Sequence, residues 1–170
     1  MVLSGPQKSL GLMLKGLKLL LAATCLGFVC LFSLPVTAGK LLVTPEEEYC
    51  LALNDYYEAR GEPIEGRLGV AYVVLNRVKA KHYPKTICEV IYQRNEKRCA
   101  FSWVCAPYPI TEPEAWQESQ RFSKQFLAMK KYDSDPTGGA VFYHEVSINP
   151  YWTAGLQDGI VLGEHIFYRR

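Results

Sequence analysis

The chain reads YYEARGEPIEG at residues 56–66, where a helix-forming segment meets the residues that stop it. Gly61 suits the left-handed conformation in which many helices end, and Pro63 bars continuation of the helix. A helix is therefore predicted to end at about Arg60. Glu58 then lies one turn from that end, beside aromatic residues and just before a bend in the chain.

The same helix has a clear beginning, because Thr44 is a favourable cap and Pro45 fits the first helical position. Glu47 follows Thr44 by three residues and is expected to complete a capping box. Apolar residues at helical spacing predict a second helix, and a further start signal at residue 111 predicts another. The predicted helices cover residues 45–60, 64–80, 86–92 and 111–131.

After residue 139 the pattern changes to short aromatic and β-branched runs. Residues 140–144 and 165–168 are of this kind and predict strands. A length of 170 residues with 49% hydrophobic side chains supports one core, and no repeat or linker follows residue 40. The sequence therefore predicts one mainly helical α+β domain with a small antiparallel sheet and a cleft between the two parts.

Residues 1–38 have the composition of an export signal. Three lysines precede an uncharged run over residues 19–34, and Ala38 is small at the expected cleavage point. A membrane-spanning helix needs roughly 20 apolar residues, so an uncleaved anchor is an alternative, and a buried core helix is a third. The first two alternatives place residues 39–170 in the periplasm or cell envelope.

The charge balance argues against a nucleic-acid partner. The first 38 residues hold three of the 19 basic side chains and none of the 17 acidic ones, so residues 39–170 carry a net charge of −1. The sequence therefore shows no stripe of Lys and Arg for a phosphate backbone.

Four cysteines follow the leader, and an oxidising compartment favours their pairing as disulfides. Three pairings are possible for Cys50, Cys88, Cys99 and Cys105, and the spacing does not choose between them. The spacing of the cysteines and of the three histidines does not suit a zinc site. The sequence predicts structural disulfides, no metal and no cofactor.

Glu58 is the leading catalytic candidate. It shares a helix face with Leu51, Asn54 and Asp55 at spacings of three and four residues. A carboxyl group held against apolar neighbours has a raised pKa, and a general acid needs a proton to give at neutral pH. The alternative is a glutamate at a solvated helix end that pairs with a nearby arginine.

The helix end belongs to a longer pattern. EARGEP at residues 58–63 is followed by Gly66 and by VAYVVLNRV at residues 70–78. Further segments follow in order, namely YPKTICEVIYQ at residues 83–93, FSW at 101–103, GAVFYH at 139–144 and GEHIFY at 163–168. Over about residues 50–168 this arrangement resembles the SleB-type cell-wall hydrolases.

The resemblance implies a lysozyme-like fold and cleavage of the peptidoglycan glycan strand between muramic acid and glucosamine. It places the family's catalytic glutamate at Glu58, which would protonate the glycosidic oxygen and then act as a base. Attack by the sugar's own 6-hydroxyl would make the chain a lytic transglycosylase, and attack by water would make it a hydrolase. Either reaction differs from the usual two-carboxylate glycosidase mechanism.

Five further residues are candidates for substrate binding. Tyr143 is expected to contact an N-acetyl group or the developing charge, unless it is an ordinary strand aromatic. Phe101, Ser102 and Trp103 are expected to line a sugar subsite, because flat rings suit the apolar faces of pyranoses. For Phe101 core packing is an equal alternative. Glu62 matches the second acid of the motif, with capping or pairing with an arginine as the alternative.

Other matching positions are given structural roles. His144 and His165 are expected to be buried and hydrogen-bonded, and Asn76 and Arg77 to tie the second helix to the first. The family also carries a glutamine where this chain has Ala100. The family's cysteines favour two pairs, Cys88–Cys105 and Cys50–Cys99.

Two other functions remain as alternatives. The first is a catalytically inactive, peptidoglycan-binding envelope protein that keeps the cleft. The second is an enzyme that cuts the peptide crosslink with a Cys–His pair, which requires a free thiol. The favoured prediction is an exported glycosidase of the lytic transglycosylase kind, acting on peptidoglycan glycan strands.

Overall fold

Helices dominate the part of the chain that the computed structural model describes, which comprises residues 43–129, 134–156 and 158–170. The helices are α1 Pro45–Ala59, α2 Ile64–Lys79, α3 Ile87–Ile91, α4 Ser102–Cys105 and α5 Pro113–Ala128. The strands are β1 Phe142–Glu145, β2 Ile160–Leu162 and β3 His165–Tyr168, and a 3-10 turn, Tyr151–Thr153, separates β1 from β2. All these elements belong to one unit, Leu41–Arg170.

The predicted mainly helical α+β domain with a small antiparallel sheet is confirmed. The sheet has the order β1-β3-β2, and both pairs are antiparallel. The sequence missed α4 and β2, because four and three residues are too few to show a period. The leader predicted over residues 1–38 lies outside the described residues. Within them, no helix is long and apolar enough to cross a membrane.

The beginning of α1 shows why the predicted capping box forms only in part. Thr44 Oγ1 accepts a hydrogen bond from the backbone N–H of Glu47 at 3.2 Å, as expected. The carboxylate of Glu47 does not return this contact to Thr44. It is buried and accepts from the N–H of Ile87 at 2.6 Å, so it caps α3 instead. A residue predicted to act locally therefore joins two helices.

The core forms around α1, which packs against α2, α3 and α5. Leu51 and Tyr56 of α1 are each 1% exposed, and Val74 of α2 is fully buried in the same cluster as Leu51. A second, smaller cluster lies between α2 and the sheet, where Val73 packs with Phe167. Burial on both sides therefore fixes α2 between α1 and the sheet.

Gly69 allows α2 to approach the sheet closely. A side chain built at this position would overlap the ring of Phe167 on β3, with two ring carbons only 2.7 and 2.9 Å from its Cβ. Because real Cβ atoms do not approach other carbons so closely, the helix backbone and the ring must lie in direct contact. This contact sets the distance between α2 and the strands.

The hydrogen bonds of Asn76 and Arg77 go to the chain before β1 and not to α1, so of the predicted tie between α2 and α1 only the effect of the Arg77 charge on Glu58 is present. Asn76 Nδ2 donates to Asp135 Oδ2 at 2.8 Å and to the carbonyl of Ala140 at 3.0 Å. Arg77 Nε donates to the carbonyl of Val141 at 2.9 Å. Both residues lie on the face of α2 that meets the chain entering β1, so they hold that chain in place.

The disulfides are Cys50–Cys88 and Cys99–Cys105, so the pairs favoured by the family resemblance are wrong. Cys50 and Cys88 have Cα atoms 5.3 Å apart because α1 and α3 pack side by side. Cys105 ends α4, and that short helix folds it back towards Cys99, with Cα atoms 5.8 Å apart. Packing between elements decided a choice that the sequence left open.

We predict that losing the two disulfides has unequal effects on stability. In the chain-entropy model, a separation of 38 residues corresponds to about 4 kcal/mol and a separation of six to about 2 kcal/mol. The Cys50→Ser/Cys88→Ser protein should therefore unfold at lower urea than Cys99→Ser/Cys105→Ser, its matched control. Equal losses, or mixed pairs in a non-reducing peptide map, would contradict this assignment.

We also predict that Gly69→Ala destabilises the protein by roughly 1–3 kcal/mol, the usual cost of overpacking a core. The measurement is the free energy of unfolding in urea. Phe167→Leu provides the control, because a smaller side chain leaves room for the added methyl group. In a double-mutant cycle the two changes should be less than additive. Full additivity would show that the two residues do not meet.

Candidate active site

A hydrogen bond between a helix and a strand forms the centre of the site. Glu58 lies in the last turn of α1, and Tyr143 lies on β1, 85 residues further along the chain. The hydroxyl of Tyr143 donates to Glu58 Oε2 at 2.7 Å. The ring of Tyr143 is held edge-on to His165, with ring centres 5.2 Å apart. A residue predicted as catalytic and one predicted to bind substrate are therefore in direct contact.

The electrostatic surroundings of Glu58 combine opposing effects. Burial raises the pKa of the Glu58 carboxyl, while the hydrogen bond from Tyr143 and the positive charge of Arg77 lower it, and Glu145 raises it further. The net result is a raised pKa. Glu58 therefore keeps its proton at a higher pH than an ordinary glutamate does.

Tyr143 remains a hydrogen-bond donor throughout the ordinary pH range. Burial, followed by the negative charge of Glu58 and the hydrogen bond to it, holds the pKa of Tyr143 well above its usual value. The phenol is consequently uncharged when it faces the carboxylate. A neutral donor at 2.7 Å stabilises the ionised form of Glu58 by hydrogen bonding and adds no charge of its own to the site.

Arg77, for which the sequence predicted a different role, supplies a positive charge that acts on both Glu58 and Tyr143. Its side chain is buried and stacks over Phe101 and Tyr83, with its guanidinium carbon 5.2 and 5.7 Å from the ring centres. Burial lowers the pKa of Arg77, yet a guanidinium remains charged in proteins. Its position is fixed by the hydrogen bond to Val141, so the charge is held close to the site.

An open cavity of about 500 Å³ is lined by Tyr143 and Arg77, the two residues that act on Glu58; Glu58 itself is not among the lining residues. Phe142 and Trp152 form an aromatic part of its wall, with ring centres 6.1 Å apart. Trp152 is half-buried and also contacts the ring of His144. The cavity is within the size range of small-molecule sites and combines flat apolar faces with polar groups.

Within the FSW segment the structure places two residues in the core and one at the surface. Phe101 and Trp103 are 3% and 6% exposed and belong to the hydrophobic core. Trp103 stacks on Tyr57 with ring centres 4.6 Å apart, so one ring face is covered by protein. Core packing, the alternative for Phe101, is what the structure shows. Ser102 is exposed at the start of α4.

The alternative for Glu62 is capping or pairing with an arginine; among the described residues its partners are a backbone N–H and a histidine, and the arginine pair is not formed. Its Oε2 accepts from the N–H of Glu164 at 2.9 Å, and its Oε1 lies 3.5 Å from His165 Nδ1. The carboxylate lies against Gly66 and Gly163, where any side chain would overlap it. Glu62 therefore joins the beginning of α2 to the turn between β2 and β3.

The two matching histidines are both buried, as predicted. His144 is hydrogen-bonded through both ring nitrogens, to the carbonyl of Glu145 at 2.7 Å and to the hydroxyl of Tyr168 at 3.0 Å. His165 differs, because its Nδ1 has no hydrogen-bond partner among the described residues. Burial lowers the pKa of His165, which favours its neutral form.

Sequence reasoning missed Phe142 and Trp152 as lining residues, and it gave Arg77 another role. Trp152 lies in an irregular segment between strands, where no periodicity marks a buried or exposed face. The sequence did contain one signal for Trp152. It is a tryptophan in a segment rich in Pro, Asn and Gly, and such loops lie at the surface, where an aromatic side chain is available to bind a ligand. Its proximity to Tyr143 depends on strand pairing.

A half-buried carboxyl with a raised pKa, hydrogen-bonded to a tyrosine that lines an open cavity, is the arrangement expected of a site for acid–base chemistry. The chain belongs to the cell wall hydrolase family, whose model matches residues 61–168. The match begins three residues after Glu58, so the role of this residue rests on the geometry described above and on the sequence motif.

Curated relatives cover a similar part of the chain. The spore cortex-lytic enzyme of Oceanobacillus iheyensis is 29% identical over 113 residues, which are 66% of this chain and 37% of that enzyme. The spore cortex-lytic enzyme of Bacillus subtilis is 27% identical over 119 residues, 69% of this chain and 35% of that enzyme. This chain therefore spans little more than a third of the length of these relatives.

Two solved structures share the fold. The catalytic domain of the Bacillus cereus SleB protein has a TM-score of 0.55 and 27% identity, over 78% of this chain and 100% of that one. The catalytic domain of the germination-specific lytic transglycosylase SleB from Bacillus anthracis has a TM-score of 0.54 and 27% identity, over 79% and 100%.

We predict that Tyr143→Phe raises the pKa of Glu58. The change removes the hydrogen bond that lowers this pKa and leaves the effect of burial, which raises it. The measurement is the pH titration of the Glu58 carboxyl carbon by NMR. Tyr168→Phe is the matched control, because it removes a hydroxyl from the same sheet that contacts His144 rather than Glu58. An unchanged or lower pKa in Tyr143→Phe would contradict the assignment.

Proposed function

We propose that this chain cleaves the glycan strand of peptidoglycan at the bond between muramic acid and glucosamine, with Glu58 as acid and then as base. The observation that carries the proposal is the raised pKa of Glu58 at the hydrogen bond with Tyr143, next to the open cavity. The relatives named as spore cortex-lytic enzymes support the choice of substrate.

The reaction begins with Glu58 in its protonated form. Its proton passes to the glycosidic oxygen as the bond to the anomeric carbon breaks, and the carboxylate that remains is stabilised by Tyr143 and Arg77. The carboxylate then takes a proton from the hydroxyl that attacks the anomeric carbon. Glu58 is thereby returned to its starting form, and no second carboxylate is needed.

We infer that the attacking group is the 6-hydroxyl of the muramic acid residue, which gives a 1,6-anhydro product. The solved neighbour from Bacillus anthracis is named as a lytic transglycosylase, and this supports the choice over water. An attacking group on the same sugar is already in place when the bond breaks, so it has a large entropic advantage over a free molecule.

Trp152 and Phe142 are proposed as the apolar platform for a pyranose ring, because they line the cavity beside Tyr143. Tyr143 is proposed to contact the substrate as well as Glu58. Ser102, which is exposed, remains a candidate for substrate binding. For Phe101, Trp103 and Glu62 the same role stays a prediction from the sequence, since their contacts in this structure are with protein.

The protein is proposed to act outside the cytoplasm, where peptidoglycan is found. The basic and apolar segment at residues 1–38 is the sequence basis for export, either as a cleaved signal or as a tether through residues 19–34. A tethered enzyme would cut only the wall within its reach. Finding mature protein that begins at Gly39 would exclude the tether.

We predict that Glu58→Gln lowers the cleavage of purified glycan strands by about a hundredfold to ten-thousandfold, the usual contribution of a general acid. Mass spectrometry of the products is the measurement. Glu114→Gln is the matched control, because it makes the same change at an exposed position in the first turn of α5. The control should cleave as the wild type does.

The products also separate the alternatives. Ends of 1,6-anhydromuramic acid that disappear in Glu58→Gln would support a lytic transglycosylase, and reducing ends that disappear would identify a hydrolase. Cleavage that survives Glu58→Gln would overturn the role of Glu58. If the wild type binds strands of several wall types without cleaving any, the protein is a peptidoglycan-binding protein without activity.

A further inference from the structure

Three exposed arginines line two adjoining cavities, the larger of which is also lined by Tyr143. Arg98 and Arg170 line the cavity of about 500 Å³ that Tyr143 also lines. Arg94 and Arg98 line the next cavity, of about 210 Å³. The two cavities share Arg98 and the buried Arg77 in their walls, so they lie side by side. We call this surface, formed by Arg94, Arg98 and Arg170, the basic groove.

The basic groove has an excess of positive charge, although Glu96, on the turn between Arg94 and Arg98, lines a neighbouring cavity with Lys97 and Arg98. No aspartate or glutamate lines either cavity of the groove itself. Among the described residues, the ion pairs of arginine are formed by Arg60 and Arg67, so none of the three arginines of the groove is neutralised by a carboxylate. Residues 39–170 have a net charge of −1 overall, so this concentration of positive charge is a local feature that the composition conceals.

The loop that presents Arg94 and Arg98 is held in a defined shape. Asn95 Oδ1 accepts from the N–H of Lys97 and of Arg98 at 3.0 and 2.9 Å, and the N–H of Asn95 donates to the carbonyl of Arg98 at 2.9 Å. Arg94 and Cys99 are paired across the turn, and the Cys99–Cys105 disulfide fixes its end. A preorganised loop loses little entropy when it binds a ligand.

Guanidinium groups in such an arrangement favour carboxylates. An arginine offers two parallel N–H donors that match the two oxygens of a carboxylate, and it stays charged at any physiological pH. Unpaired positive groups along a groove also attract anionic ligands from a distance. The ligand of the groove is therefore expected to be a polymer that extends past Tyr143 and carries carboxylates on its side groups.

We propose that the basic groove binds the carboxylates attached to the muramic acid residues of the glycan strand, and that it thereby selects anionic strands over neutral ones. These carboxylates are either the free lactyl group of muramic acid or the acidic groups of the peptide joined to it. The inference rests on the proposed function, because it takes the cleaved strand as the molecule that lies along the groove. It adds which part of the strand the enzyme recognises.

The test compares three strands with the same sugar backbone. One keeps its peptides, one has lost the peptides and exposes its lactyl carboxylates, and one has these carboxylates converted to methylamides. The variant is Arg94→Gln/Arg98→Gln in the full chain. The matched control is Arg121→Gln/Lys124→Gln, which removes the same charge from exposed positions on α5.

For the wild type, kcat/KM is expected to be about tenfold higher on an anionic strand than on the methylamide strand, and most of this difference is in KM. Arg94→Gln/Arg98→Gln should reduce the preference to about twofold or less, whereas the control keeps it. The preference of the wild type should also shrink as salt is raised well above ~0.15 M, because exposed charges are screened.

The two anionic strands distinguish the source of the carboxylate. A preference limited to the strand with peptides assigns the groove to peptide carboxylates, and an equal preference for both assigns it to the lactyl group. If the variant loses activity equally on all three strands, or keeps the wild-type preference, the proposal is overturned. A single-stranded oligonucleotide that binds the groove more tightly than any strand would overturn it as well.

The same comparison separates this inference from the proposed function. Dissociation constants are measured with Glu58→Gln, alone and combined with Arg94→Gln/Arg98→Gln, so that binding is read without cleavage. Cleavage without a carboxylate preference would leave the proposed function standing and remove this inference. If binding depends on both the carboxylates and the arginines but the wild type cleaves no strand, this inference stands and the proposed function is overturned.

Discussion

The contact between α2 and β3 at Gly69 and Phe167 is the constraint on which the rest of the molecule depends. The absence of a side chain at Gly69 lets the helix backbone meet the ring, and this sets how far the sheet lies from the helical part. Two turns further on, Arg77 holds the chain just before β1 through Val141. With both points fixed, Tyr143 meets Glu58, and the groove lies open beside them.

The chemistry of Glu58 follows from a balance that this arrangement creates. Burial by itself would keep the carboxyl protonated but would leave its ionised form without support. Tyr143 and Arg77 favour the ionised form, and they do so less strongly than burial opposes it. The group can therefore release a proton and take one back. The raised pKa of Glu58, on which its proposed role depends, thus follows from its place in the fold.

The net charge of the domain does not show how its charges are distributed over the surface. A net charge of −1 over residues 39–170 excluded a basic stripe in the sequence, yet the fold gathers Arg94, Arg98 and Arg170 along one groove. Arg170 is 72 positions from Arg98, and only strand pairing and the turn at residues 94–99 bring their side chains to adjoining walls. Local turns and a short disulfide loop hold two of the three in place.

The sequence by itself determined the ends of α1 and α2, the mainly helical α+β character and the candidate Glu58, because caps, glycines, prolines and apolar spacing act between near neighbours. The tertiary structure alone decided the disulfide pairs, the capping of α3 by Glu47 and the donor to Glu58. Most of these contacts join residues about 40 or more positions apart. The exception, Cys99–Cys105, is a local pair chosen among chemically equivalent cysteines. Such contacts depend on how helices and strands pack, and a local sequence pattern does not predict that packing.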